Sequence, residues 1–166
     1  GFTVAAWQQR PESLGFVNIK SNDPFEAPII QPNYLEAEED RKVLIAGMKL
    51  ARRLMRTEPL EPYFDFEQYP GDHIQTDDEL LQIARERGTT TFHVMGSCRM
   101  GPSSDPTSVV NEKLGVHGID GLRVIDASIM PTMLSANLNA GAMMIGEKGA
   151  DMILGKPALE PIITHE

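Results

Sequence analysis

Thr89-Thr90-Thr91-Phe92-His93-Val94-Met95-Gly96-Ser97-Cys98-Arg99-Met100-Gly101 joins a β-prone run to a glycine-bearing turn, with a histidine between them. Threonine and phenylalanine favour extended backbone, and glycine lets the chain approach a neighbour closely. A strand that delivers an imidazole to such a turn puts it where a ligand can meet it. On these residues alone a structural histidine is the favoured reading. Downstream, Val109-Val110, Leu114-Gly115-Val116 and Leu122-Arg123-Val124-Ile125 are strand candidates, with turns at His117-Gly118 and Asp120-Gly121. Asn137 to Leu154 then carries Ala142, Ile145, Gly149 and Met152 along one helical stripe, and Gly155 and Pro157 end it.

The start of that last helix is the second unusual stretch, Ser135-Ala136-Asn137-Leu138-Asn139-Ala140-Gly141. The first amides of a helix lack internal acceptors and carry partial positive charge. They suit an anion or an electron-rich carbonyl. Taken by itself, the stretch reads first as an N-cap at Asn137 or Asn139 that satisfies the helix itself.

Other side chains offer less. His73 and His165 read as surface residues and His117 as a turn residue. No histidine or cysteine pair has metal-ligand spacing, so no metal site is expected. Cys98 follows His93 by five residues, which allows a Cys–His nucleophile pair, but no orienting third group is evident. A small buried cysteine accounts for it as well. Neither a GxSxG elbow nor a GxxxxGK[ST] loop is present. Gly115-x-x-Gly118-x-x-Gly121 has the wrong spacing for a dinucleotide turn.

The first half reads as α and β segments. Phe2 to Gln8 and Gly15 to Lys20 are strand-like, and in the second Val17 and Ile19 are expected on a buried face. Pro28-Ile29-Ile30-Gln31-Pro32 reads as a short edge strand. The longest helix is expected over Ala37–Thr57, with acids at its start, arginines near its end, and Leu44, Met48, Ala51 and Met55 facing a core. Glu58 to Asp72 is loop. Thr76-Asp77-Asp78-Glu79 has the form of a capping box opening a helix to Arg87, which Gly88 stops.

Composition narrows the classes. The 166 residues carry 15 Lys+Arg against 24 Asp+Glu, a net charge of −9. That balance opposes general nucleic-acid binding, which needs a basic face. No run approaches a membrane span, and the first residues do not read as a signal peptide. One cysteine excludes an internal disulfide framework and points to a reducing compartment, taken as the cytoplasm.

Taken together, the pieces resemble one family. Phe92-His93-x-x-Gly96-Ser97-Cys98-Arg99-Met100-Gly101, then Val109-Val110-Asn111 through Gly121-Leu122-Arg123-Val124-Ile125-Asp126-Ala127-Ser128-Ile129-Met130-Pro131, then Asn137-Leu138-Asn139-Ala140 and Met144 to Asp151, closely resemble the C-terminal part of the glucose–methanol–choline (GMC) oxidoreductases. The choline-dehydrogenase-like branch is the nearest match. Arg10-Pro11-Glu12-Ser13-x-Gly15, Asp23-Pro24 and Pro32-Asn33-Tyr34-Leu35 are similar to the family's substrate-side region. Leu14 stands where arginine is common, and Gly141 where proline is common.

The resemblance implies an α+β fold: an antiparallel sheet with helices, plus a C-terminal strand and helix that complete an FAD domain. It implies a substrate-side region at 1–88, a catalytic and flavin-facing region at 89–155, and a tail at 156–166. It implies oxidation of a small-molecule alcohol to an aldehyde or ketone, with FAD as cofactor. His93 falls on the family's catalytic histidine and Asn137 on its partner. Asp126 and Ala127 fall where the chain touches the ribityl or pyrophosphate of FAD. Asn137, Leu138 and Asn139 fall where a helix start meets the flavin ring. No GxGxxG occurs in this sequence, so an N-terminal portion or chain is expected to do most of the FAD binding. The alternative is a non-catalytic binding or interaction module with a flavin-facing surface exposed and rich in Met95, Met100, Met130 and Met133.

Overall fold

A computed structural model of the chain describes residues 1–162. Of the features read above, His165 and the end of the tail lie outside the described residues. The chain forms two compact units, one from Gly1 to Thr91 and one starting at Phe92.

In the first unit, β1 (Phe16–Asn18) pairs antiparallel with β2 (Ile29–Gln31), matching Phe16 to Gln31 and Asn18 to Ile29. The helix α1 spans Glu38–Met55 and α2 spans Asp77–Arg87. Both helices start and stop where the local chemistry dictates. Glu38, Glu39 and Asp40 fill the first turn of α1 and Arg52 and Arg53 its last, each complementing the helix dipole. The capping box of α2 is present: Thr76 accepts from the Glu79 amide at 3.2 Å, and Glu79 accepts from the Thr76 amide at 2.8 Å. Leu44, Met48, Ala51 and Met55 are half-buried, whereas Leu50 and Leu54 are exposed, so the expected stripe is the packed one. Leu80 of α2 is fully buried.

Between the two helices the chain is lashed to α1 by Arg52. Its guanidinium donates to Glu67 at 2.8 and 3.0 Å, to the Ile74 carbonyl at 2.6 Å and to the Gly71 carbonyl at 3.2 Å. Both side chains of the Arg52–Glu67 pair are mostly buried, so these bonds resist solvent competition better than surface pairs do. Arg56 pairs with Asp72, and Lys49 with Asp77.

Two strand expectations fail in this unit. Phe2 to Gln8 forms no strand. Its residues favour extended backbone, but a strand needs a partner, and β1 and β2 pair with each other. The segment instead runs against α1, where a Cβ on Gly47 would lie 2.7 Å from the Ala6 Cβ. Val17 and Ile19 do not lie on a buried face: they are 53% and 87% exposed. A two-stranded sheet this short has no second layer to cover either face.

The second unit packs around Val110, Leu114, Ile129, Met130, Leu138 and Ile145. The helix α3 spans Asn139–Ile153. Ile145 and Gly149 of its expected stripe are buried, and Ala142 and Met152 are half-buried. The predicted strands at 109–110, 114–116 and 122–125 shrink to single bridges, Val110 with Val116 and Gly115 with Arg123. Leu114 sits in left-handed backbone and Gly118 and Gly121 have positive φ, so the chain turns too often for a ladder to extend. Thr89 to Phe92 is not a strand either; Phe92 bends the chain with a φ of 60°. The expected methionine surface is absent. Met130 is buried, and Met95, Met100 and Met133 pack partly buried against the core.

Candidate active site

His93 is half-buried in the second unit and reaches the core through the segment that follows it. That segment is held by main-chain bonds on two sides. The amides of Cys98 and Met100 donate to the carbonyls of Ser128 and Ile129 at 3.0 and 2.7 Å. The Arg99 carbonyl accepts from Val109 at 2.9 Å, and the Gly101 amide donates to Val110 at 3.0 Å. Gly96 has a φ of 83°, and a Cβ there would make ordinary contact with the Met130 carbonyl oxygen at 3.4 Å. The left-handed backbone favours glycine at this position.

Met130 also links this segment to the start of α3. A Cβ on Gly141 would lie 3.0 Å from the Met130 Cε and 2.9 Å from a Leu134 methyl. The segment that follows His93 and the first turn of α3 therefore rest on the same buried methionine. A proline at position 141, common in the family, would meet both side chains.

Asn137 is exposed just before α3. The N-cap position is held by Leu138, whose apolar side chain makes no cap hydrogen bond. The expectation that Asn137 or Asn139 caps the helix is therefore corrected. Leu138 is buried in the core and sets where the chain enters the helix, which leaves Asn137 one residue too early and Asn139 inside the first turn. No acidic residue occupies that turn. Asn139 and Ala140 are exposed there, so their end of the helix presents donors with partial positive charge.

Asp126 opens a 3-10 turn over Ala127–Ile129, and its Oδ1 accepts from the Ser128 amide at 2.7 Å. The carboxylate remains exposed, and Ala127 is half-buried. Cys98 is free and half-buried. Among the described residues no group of three or more His, Cys, Asp or Glu gathers to hold a metal ion. No helix there is long and apolar enough to cross a membrane. A cavity of about 120 Å³ lies between Met100, Leu114, Ile129 and the Met144–Met152 face of α3, and neither His93 nor Asn137 lines it.

Two local features escape a reading of the sequence. His117 occupies a turn, as expected, but its Nε2 also donates to the Gly101 carbonyl at 3.0 Å, which fastens the end of the segment that begins at His93. A histidine beside a glycine carries no signal of that reach. The left-handed backbone of Phe92 is equally unannounced, since Thr-Thr-Thr-Phe favours extension.

The donor set fits a flavin on these observations. A helix start with leucine at its N-cap and no acid in its first turn suits the electron-rich carbonyl edge of an isoalloxazine ring. An exposed carboxylate at Asp126 suits hydroxyl donors such as those of a ribityl chain.

Comparisons with known proteins identify the family. The family model for GMC oxidoreductase matches residues 11–146. Human mitochondrial choline dehydrogenase is 43% identical over 158 residues, covering 95% of this chain and 27% of that protein. An FAD-dependent oxidoreductase from Chaetomium thermophilum superposes with a TM-score of 0.79 at 30% identity, covering 85% of this chain and 24% of that one. Pyridoxine 4-oxidase from Mesorbium loti gives a TM-score of 0.80 at 28% identity, covering 90% of this chain and 29% of that one. The chain thus spans a little over a quarter of the human relative's length.

Proposed function

The chain belongs to the GMC oxidoreductase family, and on that premise we propose that it is the C-terminal portion of an FAD-dependent oxidoreductase that converts an alcohol to an aldehyde or ketone. Most of the FAD binding falls to an N-terminal portion or partner chain bearing the dinucleotide fingerprint. The single cysteine, free in this structure, suits a reducing compartment such as the cytoplasm.

The observation that carries this reading is the start of α3. A helix whose N-cap is a buried leucine has no polar side chain at that position for its first amides, which suits them to meet a ligand. In this reading Asn139, the Leu138 backbone and the first turn of α3 face the flavin ring, and Asp126 and Ala127 face the chain that carries it. FAD, when bound, supplies the hydride acceptor.

His93 and Asn137 act on the alcohol. The His93 imidazole accepts the hydroxyl proton and holds the oxygen as charge develops on it. Asn137, not needed as a cap, donates from Nδ2 to the same oxygen and fixes its orientation. The bonds from Cys98 and Met100 to the Ser128–Ile129 backbone keep the chain after His93 from shifting.

The test is anaerobic mixing of an alcohol with the FAD-loaded protein completed by its N-terminal FAD-binding portion, following loss of flavin absorbance. His93→Ala should slow that reduction by ~10²–10⁴-fold, the range for a lost acid–base group, with FAD content unchanged. Reduction at wild-type speed would remove His93 from the mechanism.

A further inference from the structure

We propose that the cleft beside the last turns of α1 binds a small oxyanion of the phosphate class. The cleft has a volume of about 270 Å³ and is lined by Lys49, Arg52, Arg53, Arg56 and Gln75. Its four cations recur at i, i+3, i+4 and i+7, so one face of the helix and its C-cap presents them together. Like charges crowded this way repel unless opposite charge is held among them.

Three of the four hold an acid of this chain. Arg52 pairs with Glu67, Arg56 with Asp72 and Lys49 with Asp77. Arg53 is exposed, and its side chain takes part in no hydrogen bond or ion pair among the described residues. The face therefore sets four positive charges against three negative, an excess of one. The chain as a whole carries −9, so this excess is local. Charges farther off than ~8 Å are screened at physiological salt, and an ion inside the cleft feels its lining first.

The donors left over define the ligand. Arg52 spends its guanidinium on Glu67 and on the carbonyls of Ile74 and Gly71. The Gln75 amide donates to the Asp72 carbonyl at 2.6 Å. Arg53 keeps its whole fork. Lys49 binds Asp77 through one contact, and Arg56 binds Asp72 through Nη2. Donors from three separate side chains suit a tetrahedral oxyanion, which accepts from several directions, better than a planar carboxylate met by one fork. The single excess charge and the carboxylates of Asp72 and Asp77 oppose polyphosphates. The volume lies below the ~300 Å³ where drug-sized pockets begin, so it fits a phosphate or the head of a phosphomonoester. The C-terminal end of a helix carries partial negative charge, so the side chains and not the backbone must hold the anion.

The experiment titrates inorganic phosphate by calorimetry into the protein completed by its N-terminal portion, at neutral pH and about 0.15 M salt. Calorimetry reads binding and not turnover, so the result is independent of the alcohol reading. Wild type should saturate with one phosphate at ~1 mM or below. Arg53→Gln should weaken binding about tenfold or more, the loss expected for one charge-assisted hydrogen bond. Lys113→Gln removes the same charge from an exposed position in the second unit and should bind like wild type. Phosphate should raise the melting temperature of wild type and of Lys113→Gln but not of Arg53→Gln. A lipid headgroup offers the same chemistry, so sedimentation with phosphatidylcholine vesicles containing phosphatidic acid is measured alongside. Sedimentation that depends on Arg53 assigns the site to a headgroup, and its absence assigns the site to a soluble phosphate. Affinity that falls equally in both variants, or in neither, means an adventitious ion only and overturns the proposal. So does a wild type that never saturates, or an Arg53→Gln protein that melts early without phosphate, because Arg53 would then be a structural residue.

Discussion

Asn137 shows how one position in the backbone separates two roles that look alike in sequence. An asparagine before a helix is a good N-cap, but here Leu138 holds that position. Asn137→Ala should therefore leave stability within ~0.5 kcal/mol of wild type, as expected for an exposed residue with no structural duty. Losing a hydrogen bond that orients the substrate oxygen should slow flavin reduction by ~10–10³-fold. Asn137→Ser is too short to reach, and Asn137→Asp places negative charge beside an oxygen that is itself gaining it. Both should melt normally and reduce slowly. Thermal melts paired with stopped-flow reduction decide the matter, and full activity in the Ser and Asp variants would leave Asn137 outside the site.

At the scale of elements, two attachments can be tested by stability alone. Asp40, in the first turn of α1, is buried, and it accepts from the amides of Glu12 and Ser13 at 2.9 and 2.8 Å. It fastens the segment before β1 onto the helix, and Ser13 answers by accepting from the Ala37 amide at 2.9 Å. Burial pushes the Asp40 carboxyl up, but hydrogen bonds from the Ser13 side chain, the Glu12 and Ser13 amides and the Gln8 side chain outweigh it, so its pKa lies below the ordinary value. A depressed carboxyl contributes stability that is present above the unfolded pKa of ~3.9 and lost as pH falls through the folded value. Asp40→Asn should cost ~1–3 kcal/mol at neutral pH. The gap to wild type should close in denaturant titrations carried below pH ~3.9; a gap that persists at low pH would mean that the charge is not what holds the segment.

The helix α3 offers a paired test with opposite signs. A Cβ on Gly149 would overlap the Ile125 side chain, whereas one on Gly146 meets nothing within 4 Å. Gly149→Ala should destabilise by ~1–3 kcal/mol through overpacking. Gly146→Ala should stabilise by ~0.4–1 kcal/mol, since alanine restricts the unfolded chain and fits the helix. Melting curves of the two variants give the signs directly, and two shifts of the same sign would refute the packing of α3 against Ile125.

At the scale of the whole molecule, the proposed reading gives a flavin a helix start and a carboxylate in this chain, but the sequence has no GxGxxG turn for its pyrophosphate. Expressed as these 166 residues alone, it should bind FAD weakly and purify colourless. A yellow protein with one FAD per chain would show that the residues described here hold the cofactor without help.

What the sequence determined by itself is what depends on near neighbours or on a long motif. The helices α1, α2 and α3 were legible because their hydrogen bonds close within four residues and their caps and stripes are local. The capping box at Thr76–Glu79 needs nothing distant. The motif from His93 to Asp151 pointed to the family because so many specific residues recur in order. Tertiary structure decided the rest. Phe2 to Gln8 has the composition of a strand and no strand to pair with; Val17 and Ile19 alternate correctly and have no layer to cover them. Leu138 took the N-cap because the core needed its side chain, which released Asn137. Phe92 turned left-handed where its own preference was extended. In each case the outcome depends on which distant group occupies the adjacent space, and that is set only when the chain packs.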